Sequence, residues 1–302
     1  MKSDKIGTRR ILIFLALSFI PTWALAFLYM AKYGKTMDGA YYGMLCSAAM
    51  LFPAIANILT RVITKEGFDG SKLPLKFKGN VRYLIIALCF PIVCGYITAL
   101  ASAATFIPDC SPLDILTKSD HMNVAATALY CAGVSVMGII PGFGEEFGWR
   151  AYLTPKLEEK MPFPAAITVS SVIWGLWHAP LIVCGHNFGT DYSGYPYVGI
   201  VLMCVFCIFM GLFLTSLVKA TNSVIPAALG HIAFNNTVGT VPGIMFTYAV
   251  SEDYAPGNSL IYPAVMMGVT AIMALAAGVV IIRTCRRQAF DSSLCSDNVR
   301  HT

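Results

Sequence analysis

The sequence predicts an all-α polytopic membrane protein with about eight transmembrane helices. Of its 302 residues, 57% are hydrophobic and only 12% are charged, whereas a soluble domain has about 25% charged residues. Apolar segments near or above the ~20 residues needed to cross a bilayer recur along the whole chain. The candidate spans are residues 11–31, 40–63, 82–107, 123–143, 165–184, 197–218, 223–249 and 260–282. This pattern excludes a soluble, disordered or coiled-coil protein.

The basic residues predict that both termini are cytoplasmic. With the N-terminus inside, every Lys and Arg falls on an inner segment except Lys32, Lys35 and Lys118. Because Lys and Arg accumulate on cytoplasmic loops, this asymmetry supports the eight-span order. The net charge of +5 therefore reflects topology and not a nucleic-acid-binding face. We expect an integral protein of a prokaryotic plasma membrane, with the lipid bilayer as its first partner.

The chain divides into three predicted units. Residues 1–122 hold the first three spans, residues 123–250 hold a catalytic core, and residues 251–302 hold the last span and a cytoplasmic tail. Ala24-Leu25-Ala26 imitates a signal-peptidase site, so removal of residues 1–26 is an alternative that would leave seven spans. Hydrophobicity that continues beyond this point favours an uncleaved anchor. The outer loop at residues 108–122 is expected to carry at most a short interfacial segment.

The first cluster of ionisable side chains follows a Pro141–Gly144 break at the end of the fourth span. An ionisable group inside a bilayer costs about 2.5–3.5 kcal/mol on insertion scales, so each one needs a reason. Glu146 and Arg150 are four residues apart and can pair on one helix face, whereas Glu145 points about 100° away. We therefore expect one tied and one free carboxylate. The alternative is a solvated helix start with acidic residues at its positive end.

Two further clusters each place a histidine four residues from another polar or aromatic side chain. Trp174 and His178 lie in the fifth span, and His231 and Asn235 lie in the seventh. A buried histidine is more often a satisfied core group, and polar residues often join helices in membranes, so structural roles stay open. The seventh span is expected to be broken at Pro226, Gly230, Gly239, Pro242 and Gly243. Broken helices at membrane depth face protein or a water-filled cavity, which favours a site there.

Residue counting places the three clusters at one depth. If the fourth and fifth spans form a hairpin turning at residues 161–164, Glu145 lies 17 residues before Pro162 and His178 lies 16 after it. That level is ~25 Å from the turn, so the hairpin would project ~10 Å into the cytoplasm. His231 follows Asn222 by nine residues, a depth of ~14 Å. The counts therefore predict an active site in the inner-leaflet half of the bundle.

These residues resemble the sequence motifs of the CPBP family of intramembrane proteases, also called CAAX protease type 2 or Abi. The family's EExxxR, FxxxH and HxxxN motifs stand here as Glu145-Glu146…Arg150, Trp174…His178 and His231…Asn235. Residues 148–157 and 177–180 are also similar to bacterial members. The resemblance covers residues 141–236, whereas the first 120 residues agree with the family only in topology.

The resemblance implies a peptidase and assigns a role to each motif residue. Glu145, and to a lesser degree Glu146, would act with His178 to activate the attacking water. His231 and Asn235 would stabilise the tetrahedral oxyanion. A carboxylate beside an imidazole, facing a second histidine and an amide, has the chemistry that such a hydrolysis requires.

Two more residues would support this set, and a metal is the alternative mechanism. Arg150 would hold Glu146, and Trp174, where the family usually has Phe, would alter only the shape of the pocket wall. If zinc were used instead, Glu145, His178 and His231 would be its ligands. No HExxH motif occurs and Asn235 suits an oxyanion better than a zinc ion, so water activation without metal is favoured.

The expected substrate is a peptide or a lipidated protein at the inner leaflet, with prenylated CaaX proteins as the class cleaved by eukaryotic members. The rival class is a non-catalytic transporter or immunity protein that binds an ion or ligand with the same polar residues. No inverted repeat is visible, and a transporter has no need of the EExxxR and HxxxN motifs at matched depth. These two features favour the peptidase.

Overall fold

The computed structural model of the protein describes residues 2–37, 39–74, 76–106, 124–249 and 261–300. Within these ranges the chain is helical and contains no strand, which confirms the all-α prediction. The main helices are α1 (Lys2–Tyr33), α2 (Gly39–Ile63), α3 (Val81–Phe106), α4 (Val124–Met137), α5 (Ile139–Gly148), α6 (Thr154–Glu158), α7 (Phe163–Trp177), α8 (Ala179–Val183), α9 (Tyr197–Thr221), α10 (Ile225–Ala249) and α11 (Ile261–Arg300). A π-helical turn, Trp149–Leu153, joins α5 to α6. The predicted outer loop at 108–122 lies outside the described residues.

The protein is an integral membrane protein with six or seven candidate spans among the described residues, against about eight predicted. Six single helices are long and apolar enough to cross a bilayer, namely Ile6–Tyr33, Gly39–Ile63, Val81–Ser102, Phe163–Val183, Tyr197–Thr221 and Met267–Gln288. The bent pair Val124–Met137 and Ile139–Glu158 is the seventh candidate. Helix α10 is absent from this set because polar side chains, among them His231, Asn235 and Asn236, lower its mean hydropathy.

The fourth predicted span bends at a different residue from the one expected. The bend of 58° lies between α4 and α5, at Gly138, and residues 141–144 lie inside α5. Pro141 falls in the first turn of α5, where its missing N–H removes no helical hydrogen bond. The helical path then continues through the π-turn to Glu158, so both glutamates lie inside it and not beyond its end.

The predicted break in the seventh span is also wrong, and a break occurs in the fifth. Helix α10 runs without interruption from Ile225 to Ala249, and Pro226 is tolerated because it falls in the first turn. The fifth span instead has a one-residue interruption of its helix at His178, between α7 and α8, where Pro180 cannot donate a helical hydrogen bond. The helix interruption therefore presents His178 and not His231.

Close approach between helices fixes the segment that carries both glutamates. A Cβ at Gly144 would meet the backbone of Met50, and one at Gly148 would meet Pro53, both on α2. A Cβ at Gly142 would meet the backbone of α10. Because the obstacles at Gly142 and Gly144 are backbone atoms, only glycine permits this spacing. Helix α5 is thus held between α2 and α10.

One end of the bundle collects the basic segments, and we call it the basic end. Lys156 Nζ lies 2.7 Å from Glu66 Oε1, and Arg10 Nε lies 3.4 Å from Glu66 Oε2. Lys219 also pairs with Glu158 there. The first three predicted inner segments therefore meet around Glu66, and the fourth joins them through Lys219. The helical hairpin turns between α6 and α7, at residues 159–162, two residues earlier than the predicted 161–164, because Phe163 and Pro164 form the first turn of α7.

Candidate active site

The two adjacent glutamates have different partners. Glu146 Oε1 accepts hydrogen bonds from Arg150 Nη1 at 2.9 Å and from His231 Nδ1 at 2.7 Å. Glu145 Oε2 accepts from the indole Nε1 of Trp174 at 2.5 Å and from that of Trp149 at 3.3 Å. Glu146 is thus tied to a guanidinium, as its spacing predicts, whereas Glu145 has no such cation on its own helix.

His231 joins the two carboxylates from the facing helix α10. Its Nδ1 bonds Glu146, and its Nε2 lies 3.8 Å from Glu145 Oε1. The edge of the imidazole also packs against Trp174, with ring centroids 5.4 Å apart. Because all of these side chains are almost fully buried, their charges interact strongly with one another.

His178 is linked to Glu145 through Trp174. The Nδ1 of His178 lies 2.9 Å from the backbone carbonyl of Trp174, and the indole of Trp174 donates to Glu145. Since a carbonyl oxygen only accepts, Nδ1 carries the hydrogen and Nε2 is the acceptor in the neutral ring. The expectation that Trp174 alters only the shape of the pocket is therefore wrong. A phenylalanine there has no N–H to give to Glu145.

The remaining motif residues lie next to this group. Arg150 places its guanidinium 3.9 Å from the ring centre of Trp174, a cation–π contact. Asn235 is one turn beyond His231 on α10, its side chain is exposed, and it makes no hydrogen bond to a residue that the structure describes. The structure thus brings Glu145, Glu146 and His231 into direct contact and leaves Asn235 beside them.

The two motif histidines lie at different distances from the basic end when these are counted along their own helices. His178 is 15 residues after Phe163 and five before Val183, so it is ~22 Å from one end of its span and ~8 Å from the other. The Phe163 end is the basic end, because Lys219 lies over the Phe163 ring. His231, only six residues after Ile225, lies ~9 Å from that end. Because Trp174, four residues before His178, packs against His231, α7 extends further than α10 at the basic end. The position of the site in the inner-leaflet half of the bundle stays a prediction.

Several residues that contact the site were not identified from the sequence. Asn57 of α2 donates to the backbone carbonyl of Phe147 at 2.7 Å, and Arg61 Nε donates to Asn57 Oδ1 at 2.7 Å. Both are buried. His186 stacks parallel to His178, with centroids 6.1 Å apart and planes at 11°. The sequence contains a signal for Asn57 and Arg61, because a polar and a charged residue one turn apart in an apolar span need a reason to be there.

The residues proposed as zinc ligands do not form a metal site. Across the described ranges, no three His, Cys, Asp or Glu side chains are grouped closely enough to hold a metal ion. The arrangement of Glu145, His178 and His231 therefore does not fit zinc, and no step of the chemistry below uses it.

Buried ionisable side chains grouped within a helical membrane bundle are typical of functional sites. Residues 127–237 match the family model described as type II CAAX prenyl endopeptidase Rce1-like. Residues 127–237 therefore form a domain of this family, and such a domain implies a peptidase. The matched region includes the motif residues Glu145, Glu146, His178, His231 and Asn235. No curated protein matches the chain.

Proposed function

We propose that the protein is an intramembrane endopeptidase that hydrolyses a peptide bond with a water molecule activated by Glu145 and His178. The substrate is a membrane-associated chain, and prenylated CaaX-type proteins are the class named by the matched family. Five residues would carry the reaction, namely Glu145, Glu146, His178, His231 and Asn235. The lipid bilayer and the substrate are the only partners that the proposal requires.

The observation that carries this proposal is the double role of Trp174. Its indole fixes one oxygen of Glu145 and its backbone carbonyl fixes the tautomer of His178. Glu145 Oε1 and His178 Nε2 are then the two atoms that can accept a proton from water. A base held in one orientation by a second group is the usual arrangement for activating a nucleophile.

The reaction would proceed by addition of water to the scissile carbonyl. A water oxygen forms the new bond to carbon while its proton passes to Glu145 or His178. The carbonyl oxygen becomes an oxyanion, which Nε2–H of a protonated His231 and the amide of Asn235 would stabilise. Collapse of this intermediate breaks the C–N bond, and the proton returns to the departing amine. Glu146 and Arg150 would hold His231 in place throughout.

The proposal is tested by cleavage of lipid-anchored reporter peptides in proteoliposomes. Replacing His178 with Ala should lower kcat by about 10² to 10⁴-fold, the range for one general base. Asn235→Ala should lower kcat with little change in KM, because an oxyanion donor acts in the transition state. The assignment would be wrong if a His178→Ala variant that still unfolds cooperatively cleaved the reporter at a near-wild-type rate. Zinc bound in stoichiometric amount and needed for cleavage would replace the mechanism but keep the residues.

We also propose that the basic end faces the cytoplasm, so that substrates are presented from the inner leaflet. In a cysteine-free background, Lys160→Cys should react with a membrane-impermeant reagent only in inside-out vesicles. Asp191→Cys should react only in right-side-out vesicles. The opposite pattern would invert the topology. A transporter would instead move its ligand across the vesicle membrane without any cleavage.

A further inference from the structure

The basic side chains at the basic end fall into two groups that differ in their partners. On the side formed by α1, α6 and α9, Arg10 and Lys156 pair with Glu66. Lys219 pairs with Glu158 on the same side. On the side formed by α3 and α11, six exposed basic side chains form no ion pair with any residue that the structure describes. They are Lys76, Lys78, Arg82, Arg283, Arg286 and Arg287, and we call them the basic rim.

The basic rim combines two segments that are distant in the sequence. Arg82 Nη2 donates to Gln288 Oε1 at 3.2 Å, and the hydroxyl of Tyr83 lies 3.7 Å from Sγ of Cys285. These contacts place the start of the span Val81–Ser102 level with the end of the span Met267–Gln288. Neither residues 76–82 nor residues 283–288 include an acidic side chain. The rim therefore carries a local excess of positive charge where two spans end.

A tight turn holds the lysines of the rim beside the start of α3. The backbone N–H of Asn80 donates to the carbonyl of Phe77 at 3.0 Å. Gly79 has a φ of 84°, and a type II turn requires a positive φ at this position. The Asn80 side chain also donates to the carbonyl of Lys76 at 2.8 Å. The ends of such a turn are less than about 7 Å apart, and the polar layer of each leaflet is about 5–8 Å thick. The turn therefore lies at the level of the lipid headgroups.

The turn combines an aromatic ring with positive charge. Phe77 is 65% exposed and stands between Lys76 and Lys78, which are exposed as well. An aromatic ring beside lysines suits the membrane interface, where the ring meets acyl chains and the ammonium groups meet phosphates. A soluble acidic protein would match the charge, but it would not explain an exposed ring at the end of a span. The surroundings of Phe77 thus favour a lipid as the partner.

We propose that the basic rim binds the headgroups of anionic phospholipids in the leaflet at the basic end. Clusters of four to eight basic residues next to a span are typical of segments that bind anionic lipids. Lys76 and Lys78 contact the phosphates from the turn, Phe77 inserts between the lipids, and the arginines of α11 extend the surface. The binding does not rest on the proposed function.

The test measures lipid preference next to the rim and does not depend on cleavage. In a cysteine-free background, Ile85→Cys carries a fluorescent label one turn into α3, where the side chain is 56% exposed. Proteoliposomes of phosphatidylcholine receive an equal, small fraction of phosphatidylglycerol or phosphatidylcholine with a spin-labelled acyl chain as the quencher. Quenching should show at least about fivefold enrichment of phosphatidylglycerol, the preference that one basic residue provides. Equal quenching by the two lipids would overturn the proposal and favour a soluble partner.

A second label position tests whether the preference is local. Ile97 lies near the opposite end of the same span and is 42% exposed. A label on Ile97→Cys should be quenched about equally by the two lipids. The same enrichment at both positions would reject a specific site at the rim.

Charge variants test the residues themselves. The double variant Lys76→Gln with Lys78→Gln should lower the enrichment at Ile85→Cys about fivefold or more. The matched control is Lys32→Gln with Lys35→Gln, which removes the same charge from exposed positions at the opposite end of the bundle. Equal losses in the two double variants would contradict the assignment to the rim. Salt at 1 M shortens the Debye length to about 3 Å, so an enrichment that 1 M salt leaves unchanged would contradict an electrostatic site.

Discussion

Two carboxylate clusters at different depths in the bundle differ in how completely their polar atoms are paired. At the basic end, Glu66 receives Lys156 on one oxygen and Tyr152 and Arg10 on the other. Burial raises the pKa of Glu66, but Lys156, Tyr152 and Arg10 outweigh it, so this pKa lies below its ordinary value. Every oxygen of this carboxylate has a partner.

In the site, Glu146 is more deeply buried but less completely paired. Arg150 and His231 both bond Oε1, and Oε2 has no hydrogen-bond partner among the described residues. An unsatisfied buried polar atom costs about 1–3 kcal/mol. The more deeply buried carboxylate, for which an unpaired oxygen is most costly, is therefore the one that keeps an unpaired oxygen. This difference is expected if the basic-end cluster serves stability and the buried one is arranged for a reaction.

The largest effect on stability is expected where a buried ion pair loses one partner. Arg150→Met should lower the free energy of unfolding by about 3–5 kcal/mol, because the buried Glu146 would lose its guanidinium partner and keep only the imidazole of His231. Chemical denaturation in detergent micelles measures this loss. The double variant with Glu146→Gln should recover part of it. A loss below about 1 kcal/mol in Arg150→Met would show that the Arg150–Glu146 pair stabilises the fold no more than the ion pairs of the basic-end cluster do.

Trp174→Phe separates the hydrogen bond to Glu145 from the aromatic ring. We expect kcat to fall by about tenfold or more, since one charged hydrogen bond that orients the base is lost. Trp23→Phe is the matched control, because its indole donates to the backbone carbonyl of Trp177 and its ring packs on Phe19, with no hydrogen bond or ring contact to the site's glutamates or histidines in the described part of the chain. Equal kcat values for the two variants would contradict the role given to Trp174.

Asn57→Leu tests whether helix α2 positions the glutamates. The change removes the hydrogen bond to the carbonyl of Phe147 and leaves Arg61 without its acceptor, so the free energy of unfolding should fall by about 1–3 kcal/mol. A positioning role also predicts a lower kcat at unchanged KM. Loss of stability with unchanged kcat would restrict Asn57 to folding.

The smallest effect is expected at Glu66 and should depend on pH. Because the pKa of Glu66 is lower in the folded protein, its ionised form adds stability above its unfolded pKa of about 4.3. That stability is lost as the pH falls through the lower folded value. The difference in Tm between wild type and Glu66→Gln should therefore be present at pH 7 and disappear in acid. A difference that grows in acid would contradict the sign.

Local spacing predicted some of these features, and contacts between distant segments determined the others. The pairing of Glu146 with Arg150 and the hairpin turn before Phe163 depend on a few neighbouring residues. The bond from Trp174 to Glu145 joins α7 to α5, and the bond from Asn57 to Phe147 joins residues 90 positions apart. Proline misled the prediction at Pro141 and Pro226, because its position within the first turn decides whether it breaks a helix.

The comparison of the two clusters is tested most directly by the same substitution in each. Cleavage of a lipid-anchored reporter peptide in proteoliposomes should be measured for wild type, Glu145→Gln and Glu66→Gln, with cooperative unfolding verified for all three. We expect Glu145→Gln to lower kcat/KM by about 10² to 10⁴-fold, and Glu66→Gln to stay within about twofold, because Glu66 touches no reacting group. Cleavage by Glu145→Gln at the rate of Glu66→Gln would contradict the assignment of the buried carboxylate to catalysis.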